Sequence, residues 1–213
     1  MFRNMIKKSI HKTAHVQRNF DLSKTIPDED RVLIEEAVTQ CPSKQNVAFY
    51  DVLSITDRDM IESLHSATEG FVKLDEETGE TKTLTNSQTL ANLLLVFVKR
   101  DREMEEARHN KGEATKSNQF FWTDDTPLTD LNMAVGIAAG SVNMTAGILG
   151  YGTGCCRCFD KNEVKKILAT NQEPVLMMGV GYPDETRNRR EHHVSGEVFP
   201  TIKKEEIYLE RID

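Results

Sequence analysis

Apolar and polar positions are spread unevenly along this chain, and one stretch stands apart. Between Asp130 and Arg157 there is no charged residue, although 29% of the 213 residues are charged. The surrounding segment, Thr126–Asp160, also holds six of the twelve glycines. Thr126 can cap the first free N–H groups of a helix and Pro127 suits its first position, so a long helix is predicted from there. Gly150, Gly152 and Gly154 are expected to end it and turn the chain with positive φ. At helical spacing Met133, Ile137, Met144 and Ile148 share one face, Val135, Val142 and Leu149 a second, and Gly136, Gly140, Asn143 and Gly147 a third. A helix that is apolar or small nearly all round is expected to be buried on all sides. The three interior glycines cost about 1 kcal/mol each against alanine, which close approach of another helix would offset. The segment is long enough to cross a membrane, but Asn132, Ser141, Asn143, Thr145 and the glycines would face lipid poorly. It reads as a central helix at a subunit interface.

The remaining pattern is conventional. Residues 1–20 alternate basic and polar positions and predict a short helix leading into an extended HVQRNF segment. Pro27-Asp28-Glu29-Asp30 opens a second helix, with its acids where the dipole favours them and Val32, Leu33, Ala37 and Val38 as its apolar face. CPSKQN breaks it at Pro42. Phe49–Ile55 reads as a strand and Asp57–Ser66 as a short helix, while the acidic, threonine-rich residues 75–89 read as a loop. Leu93–Val98, apolar throughout, predicts a central strand covered on both faces. Residues 100–118 read as a solvated helix and loop, Phe120-Phe121-Trp122 as an aromatic cluster, and Asn162–Ala169 as a short helix. Pro174–Val180 is a second buried strand, and residues 184–193 form a polar, basic loop. This order predicts a single α+β or α/β domain over residues 1–213.

Composition narrows the function. A net charge of −7 and sparse aromatics argue against nucleic acid or an anionic membrane as partner. No signal peptide is evident, since no apolar run follows the basic opening, and a cytoplasmic protein is expected. Three of the four cysteines fall within Cys155–Cys158, which is not a secreted disulfide framework. Their C-x-x-C spacing is open to three readings: a redox pair, half a zinc site, or small residues packing a turn. Arg187, Arg189 and Arg190 follow a buried strand and could clamp a phosphate, or simply form a solvated loop. Arg18 and Lys44 carry the same two readings. Ser43 and Asn46 suit a closed turn. No catalytic triad, P-loop or dinucleotide fingerprint is present; the glycine-rich turn follows a helix rather than a strand.

The order of these pieces is more telling than any of them singly. HVQRNF, a proline-started helix, CPSKQN, the long small-residue helix ending LGYG, the GCCRCFD turn, GVGYP and RNRR follow one another along the chain. Together they resemble the nitroreductase family of flavin mononucleotide (FMN) enzymes across nearly the whole length, with residues 57–120 matching only in their pattern of elements. The resemblance implies a central, mainly antiparallel sheet flanked by helices. It also implies a homodimer packed through the long helices, with FMN in the interfacial clefts. His15, Gln17 and Arg18 would lie along the flavin, with Arg18 near its N1/O2 edge. Pro42, Ser43, Lys44 and Asn46 would belong to the cofactor site, Pro42, Ser43 and Asn46 reaching the ring from the other subunit. Asn86 or Gln88 would touch the pyrimidine edge, and the backbone of Cys156, Arg157 and Cys158 would lie near N5. Arg187 and Arg189 would hold the phosphate, and Phe121 or Trp122 would cover the substrate. The implied activity passes hydride from NADH or NADPH through FMN to a nitroaromatic, quinone or similar small-molecule acceptor, with no side chain needed as acid or base and no metal. The chain departs from the family at Ala14, where members often carry arginine, at Val16, where they often carry serine, at Ala48-Phe49, where Gln-Pro often stands, and in the three cysteines of the turn after the long helix. Ala14, Val16 and those cysteines motivate an alternative, a flavin-binding protein of this fold with a degenerate, non-catalytic site.

Overall fold

The computed structural model describes residues 2–74, 78–100, 127–200 and 202–212. Helix α1 (Phe2–Thr13) leads through an extended segment to α2 (Asp28–Thr39), and a single 3-10 turn at Lys44–Asn46 precedes β1 (Tyr50–Ile55). Next come α3 (Arg58–Ser66), a hairpin of β2 (Phe71–Leu74) and β3 (Thr81–Leu84), and a second 3-10 turn at Ser87–Thr89. Then follow β4 (Leu93–Lys99), α4 (Pro127–Leu149), β5 (Gly152–Cys156), α5 (Lys161–Ile167) and β6 (Pro174–Gly181). Phe121, Trp122, Thr126 and the helix expected in 100–118 lie outside the described residues.

The main sheet has the order β1-β4-β6-β5 with every neighbouring pair antiparallel, so the α+β reading with an antiparallel centre holds. β4 is the strand the apolar run predicted, buried from Leu93 to Val98. Alternation splits it: Leu93, Leu95 and Phe97 pack with α2 and α4, while Leu94, Val96 and Val98 pack with Ile61, Leu64 and Val164 from α3 and α5. Both faces are covered, which is why the run has no polar positions. Asp57 caps α3 by accepting from the Met60 N–H at 2.8 Å, and Asp160 caps α5 by accepting from Asn162 and Glu163.

Helix α4 is buried along one stripe rather than on all sides. Leu131, Ala134, Val135, Ala138, Val142 and Ala146 face the sheet and α2. In the single chain Met133 remains 60% and Ile137 41% exposed, with Leu128 and Ile148 also open. The small-residue face is divided as well. Gly147 is pressed by Ser9 and Thr13 of α1, where a Cβ would stand 2.5 and 2.4 Å from their side chains, while Gly136 and Gly140 meet nothing. Among the described residues α4 is the one helix long and apolar enough to cross a membrane, yet its buried stripe belongs to the core.

Four further expectations are corrected. Of the glycines expected to turn the chain after α4, only Gly150 has positive φ, +99°. It closes the helix with Gly150 N–H donating to Gly147 O at 3.3 Å and Tyr151 N–H to Ala146 O at 2.8 Å, a Schellman end. Gly152 and Gly154 belong instead to β5, so GCCRCFD begins as a strand. In α2 the core-facing residues are Ile34 and Val38, whereas Val32 and Leu33 are 47% and 46% exposed; the three-residue apolar run left the phase of the helix ambiguous. Pro27 lies just outside that helix, with extended ψ, at its N-cap position. Residues 75–89 contain β3 and a 3-10 turn, because Thr81 and Thr83 favour extended backbone that pairs with the Phe71–Leu74 strand.

Gly154 and Gly179 stand opposite each other in β5 and β6 and together seat the turn at Ser87–Thr89. A Cβ on Gly179 would lie 2.1 Å from the Gln88 carbonyl oxygen, and one on Gly154 2.7 Å from the Gln88 Cβ. The obstacle at Gly179 is backbone, so even alanine there would have to displace the turn, an overpacking cost of about 1–3 kcal/mol.

Candidate functional site

The extended segment after α1 runs along the end of β5 and the loop after β6. Gln17 N–H donates to Thr153 O at 2.8 Å, Arg18 N–H to Arg189 O at 3.1 Å and Asp21 N–H to Tyr182 O at 2.8 Å. This extended course puts neighbouring side chains to different uses. Gln17, Asn19 and Phe20 are buried, while His15 and Val16 are exposed and Arg18 is half-buried. Gln17 therefore serves the fold: its amide donates to Asn19 O, and its side chain fills the space left by Gly152. Asn19 donates in turn to Asn188 O at 2.7 Å.

Where this segment, α4 and β5 meet, a cleft of about 210 Å³ opens between Thr13, Val16, Gly140, Asn143, Gly154 and Cys155. Asn143 organises its floor, donating to Thr13 O at 3.2 Å and accepting from the Thr153 hydroxyl. Gly140 leaves the α4 wall without a side chain. Asn143 and Thr153 escaped sequence reasoning as site residues, because a polar side chain on a small-residue helix face reads as packing.

Cations gather beside the cleft. Arg189 donates to Val16 O at 3.2 Å. Arg18 lies close enough to Arg189 and Arg190 that burial, and then those two charges, push its pKa below the usual arginine value. It remains a cation. No carboxylate figures among the influences on it, and its Nε is buried without a hydrogen-bond partner among the described residues. The other basic candidates are engaged. Arg187 is paired with Glu191, Nε to Oε1 at 2.9 Å, and also donates to His193 O at 3.1 Å. Arg190 donates to Phe199 O at 3.0 Å, and Lys12 to Gly150 O at the end of α4.

Asn86 and Cys156 come together beneath β5. Asn86 is buried, its Oδ1 accepting from Gln88 N–H at 3.1 Å, and its side chain also reaches the Cys156 thiol. Burial pushes the Cys156 pKa up to about 11, outweighing the hydrogen bonds to Cys158 and Asn86 that lower it. It is therefore a protonated thiol at neutral pH and a poor nucleophile. Gln88 Oε1 and Ser87 Oγ, in the turn seated on the glycine pair, are buried without partners among the described residues. Arg157 and Cys158 are exposed, and the Cys158 carbonyl accepts from Glu69 N–H at 2.8 Å. All four cysteines are free thiols, and no group of three or more His, Cys, Asp or Glu among the described residues is placed to hold a metal.

Pro42, Ser43, Lys44 and Asn46 lie elsewhere. Ser43 and Asn46 line a separate cleft of about 580 Å³ with Tyr50, Asp51, Arg100 and Gln172. Lys44 pairs with Asp130 of α4 at 2.8 Å, and Asn46 takes a left-handed φ of +58°. Within one chain the structure brings together Val16, Arg18, Cys155 and Arg189, and does not bring Pro42–Asn46 to them.

Comparison with known proteins agrees with this architecture. The model of the nitroreductase family matches residues 12–182. No curated protein matches the chain significantly. Among solved structures, a nitroreductase family protein from Streptococcus pneumoniae superposes with a TM-score of 0.63 at 17% identity, over 96% of this chain and 96% of its own. An FMN-dependent nitroreductase from Clostridium difficile does so with a TM-score of 0.54 at 14% identity, over 80% and 84%. A protein from Staphylococcus epidermidis named as a candidate NAD(P)H:FMN oxidoreductase gives 0.63 at 16% identity, over 92% of both chains. At such identities the likeness speaks for the fold, while the family match spans most of the sequence. The chain belongs to the nitroreductase family.

Proposed function

We propose that this chain is an FMN-dependent oxidoreductase that takes reducing equivalents from NADH or NADPH and passes them to a small acceptor such as a nitroaromatic or quinone. The observation that carries this reading is the cleft at Gly140, Gly154 and Cys155 with Arg18 and Arg189 beside it, cations that no carboxylate among the described residues pairs with. Such a site suits an anionic ligand laid against backbone. The residues present fit FMN in two respects. Among the described residues Arg18 has a buried donor without a partner, and Gly140 leaves an open wall. The cleft alone is smaller than the about 300–1,000 Å³ of ordinary ligand sites, so one chain supplies part of a site.

FMN, when bound, supplies the redox chemistry through N5; the protein binds, orients and tunes it. In this reading Arg18 would favour the more negatively charged form of the ring, and Arg189 would hold the phosphate, joined by Arg187 if it leaves Glu191. Asn86 and the Cys156–Cys158 backbone would border the ring, and His15 would lie at the solvent edge of the site. The site is completed by a second copy, whose Pro42, Ser43, Lys44 and Asn46 would close over the cleft. What supports a homodimer is the apolar surface left open in one chain: Val32 and Leu33 on α2, Met133, Ile137 and Ile148 on α4, and Ile202, Ile207, Leu209 and Ile212 along the C-terminal segment. No contact to nucleic acid or membrane is proposed, and a cytoplasmic setting suits the free thiols.

A second reading keeps the flavin but not the turnover. Ala14 and Val16 offer no phosphate donors, and Arg187 is occupied by Glu191. Steady-state assays of the FMN-loaded protein decide between the two. The first reading expects NADH or NADPH to be oxidised in proportion to added nitroaromatic or quinone. Bound flavin that neither nicotinamide reduces would leave the second.

A further inference from the structure

Phe199, Phe71 of β2 and His192 form an aromatic cluster whose Phe199 ring lies under Arg18. Cζ of Arg18 lies 4.7 Å from the centroid of the Phe199 ring. Phe199 is buried and held through its backbone by a single residue, donating N–H to Arg190 O at 3.0 Å and accepting from Arg190 Nη1 at 3.0 Å. Phe71 of β2 meets the ring edge-on at 5.8 Å, and His192 stacks near-parallel at 6.0 Å. His192 is anchored by Thr85, its Nε2 lying 3.1 Å from both the hydroxyl and the carbonyl oxygen, and the same hydroxyl lies 2.8 Å from His65 Nε2. Burial lowers the pKa of both histidines, so the layer behind the ring is neutral at physiological pH.

We propose that Phe199 is a positioning residue for Arg18, fixing its guanidinium by cation–π contact without neutralising it. A carboxylate could hold an arginine as firmly, but it would occupy the N–H donors and cancel the charge. A ring face does neither. The arrangement around Arg18 has this character: an aromatic on one side, arginines nearby and, among the described residues, neither a carboxylate paired with it nor a partner for its Nε. The role rests on the flavin reading, since an unneutralised cation is useful where a ligand gains negative charge. A contact of this kind is worth about 2- to 30-fold in an equilibrium.

Two measurements on the full chain test this, comparing wild type with Phe199→Leu, which removes the ring, and Phe199→Tyr, which restores it. In the flavin-free protein, the Arg18 Nε–H resonance, assigned by its loss in Arg18→Lys, is expected to be ring-shifted in wild type and Phe199→Tyr. In Phe199→Leu it should fall among the exposed arginines. An unshifted wild-type resonance, or one unchanged in Phe199→Leu, overturns the proposal whether or not flavin binds. In the FMN-loaded protein, Phe199→Leu is expected to weaken binding of reduced flavin about 2- to 30-fold more than oxidised flavin, lowering the midpoint potential, with Phe199→Tyr near wild type. Equal weakening of both forms, at an unchanged potential, would make Phe199 merely structural and also overturn the proposal. A wild-type chain that binds no FMN overturns the flavin reading and the role built on it, while the resonance still decides whether Phe199 holds Arg18.

Discussion

Replacing Arg18 with glutamine is expected to weaken FMN binding by about 10- to 150-fold, the worth of about 1.5–3 kcal/mol that hydrogen bonds to charged groups carry. The side chain is half-buried, stacked on Phe199 and beside two other arginines, so its removal takes away a cation and relieves repulsion at once. Fold stability should therefore change little, or rise, while affinity falls. That opposition of signs distinguishes a binding cation from a structural one. Arg18→Lys should be intermediate, since it keeps the charge but loses the planar group that lies on the ring. Flavin fluorescence titration gives the affinity and urea denaturation the stability. An Arg18→Gln protein that binds FMN as tightly as wild type would remove this residue from the site.

The second large effect concerns assembly. Met133→Glu combined with Ile137→Glu is expected to convert a dimer into a folded monomer that no longer holds FMN. Both side chains are solvent-facing in the single chain, on the side of α4 opposite the Val135–Val142 stripe. Two carboxylates there should leave the monomer intact. At a buried seam between copies, each would carry a desolvation penalty of several kcal/mol. Flavin affinity should fall with assembly, because Pro42, Ser43 and Asn46 do not reach the Val16–Cys155 cleft within their own chain. Light scattering reports the mass and flavin titration the site. A double variant that remains dimeric, or a monomer with unchanged affinity, contradicts this account of the site.

Elements were legible in the sequence where the physical signal was redundant. Leu93–Val98 could be placed because both its faces are covered, and Pro174–Val180 for a similar reason. In α2, by contrast, Val32, Leu33 and Ile34 are equally apolar, and only packing shows that Ile34 points inward. β5 was missed because glycines at 152 and 154 read as turn formers, while the structure uses Gly154 with Gly179 to admit the Gln88 backbone. That demand is set by a turn more than sixty residues earlier in the chain and leaves no local trace. The apolar face of α4 was legible, but its burial along a single stripe was not, since Met133 and Ile137 are as apolar as the residues that face the core and yet stay exposed in the chain. The proposed cofactor residues emerged only from the order of motifs. HVQRNF gives no hint that Gln17 and Asn19 support the fold while Arg18 is left uncompensated. Phe199 and His192 lie in a stretch without periodicity, so the surroundings of Arg18 became visible only in three dimensions.

Arg18, Arg189 and the Gly140–Cys155 cleft are proposed to form an FMN site. The most direct test is an absorbance titration of the purified chain with FMN. The expected result is a perturbed flavin band that saturates at one FMN per chain and bleaches when NADH or NADPH is added without air. A protein whose spectrum with FMN is only the sum of the separate components would contradict it.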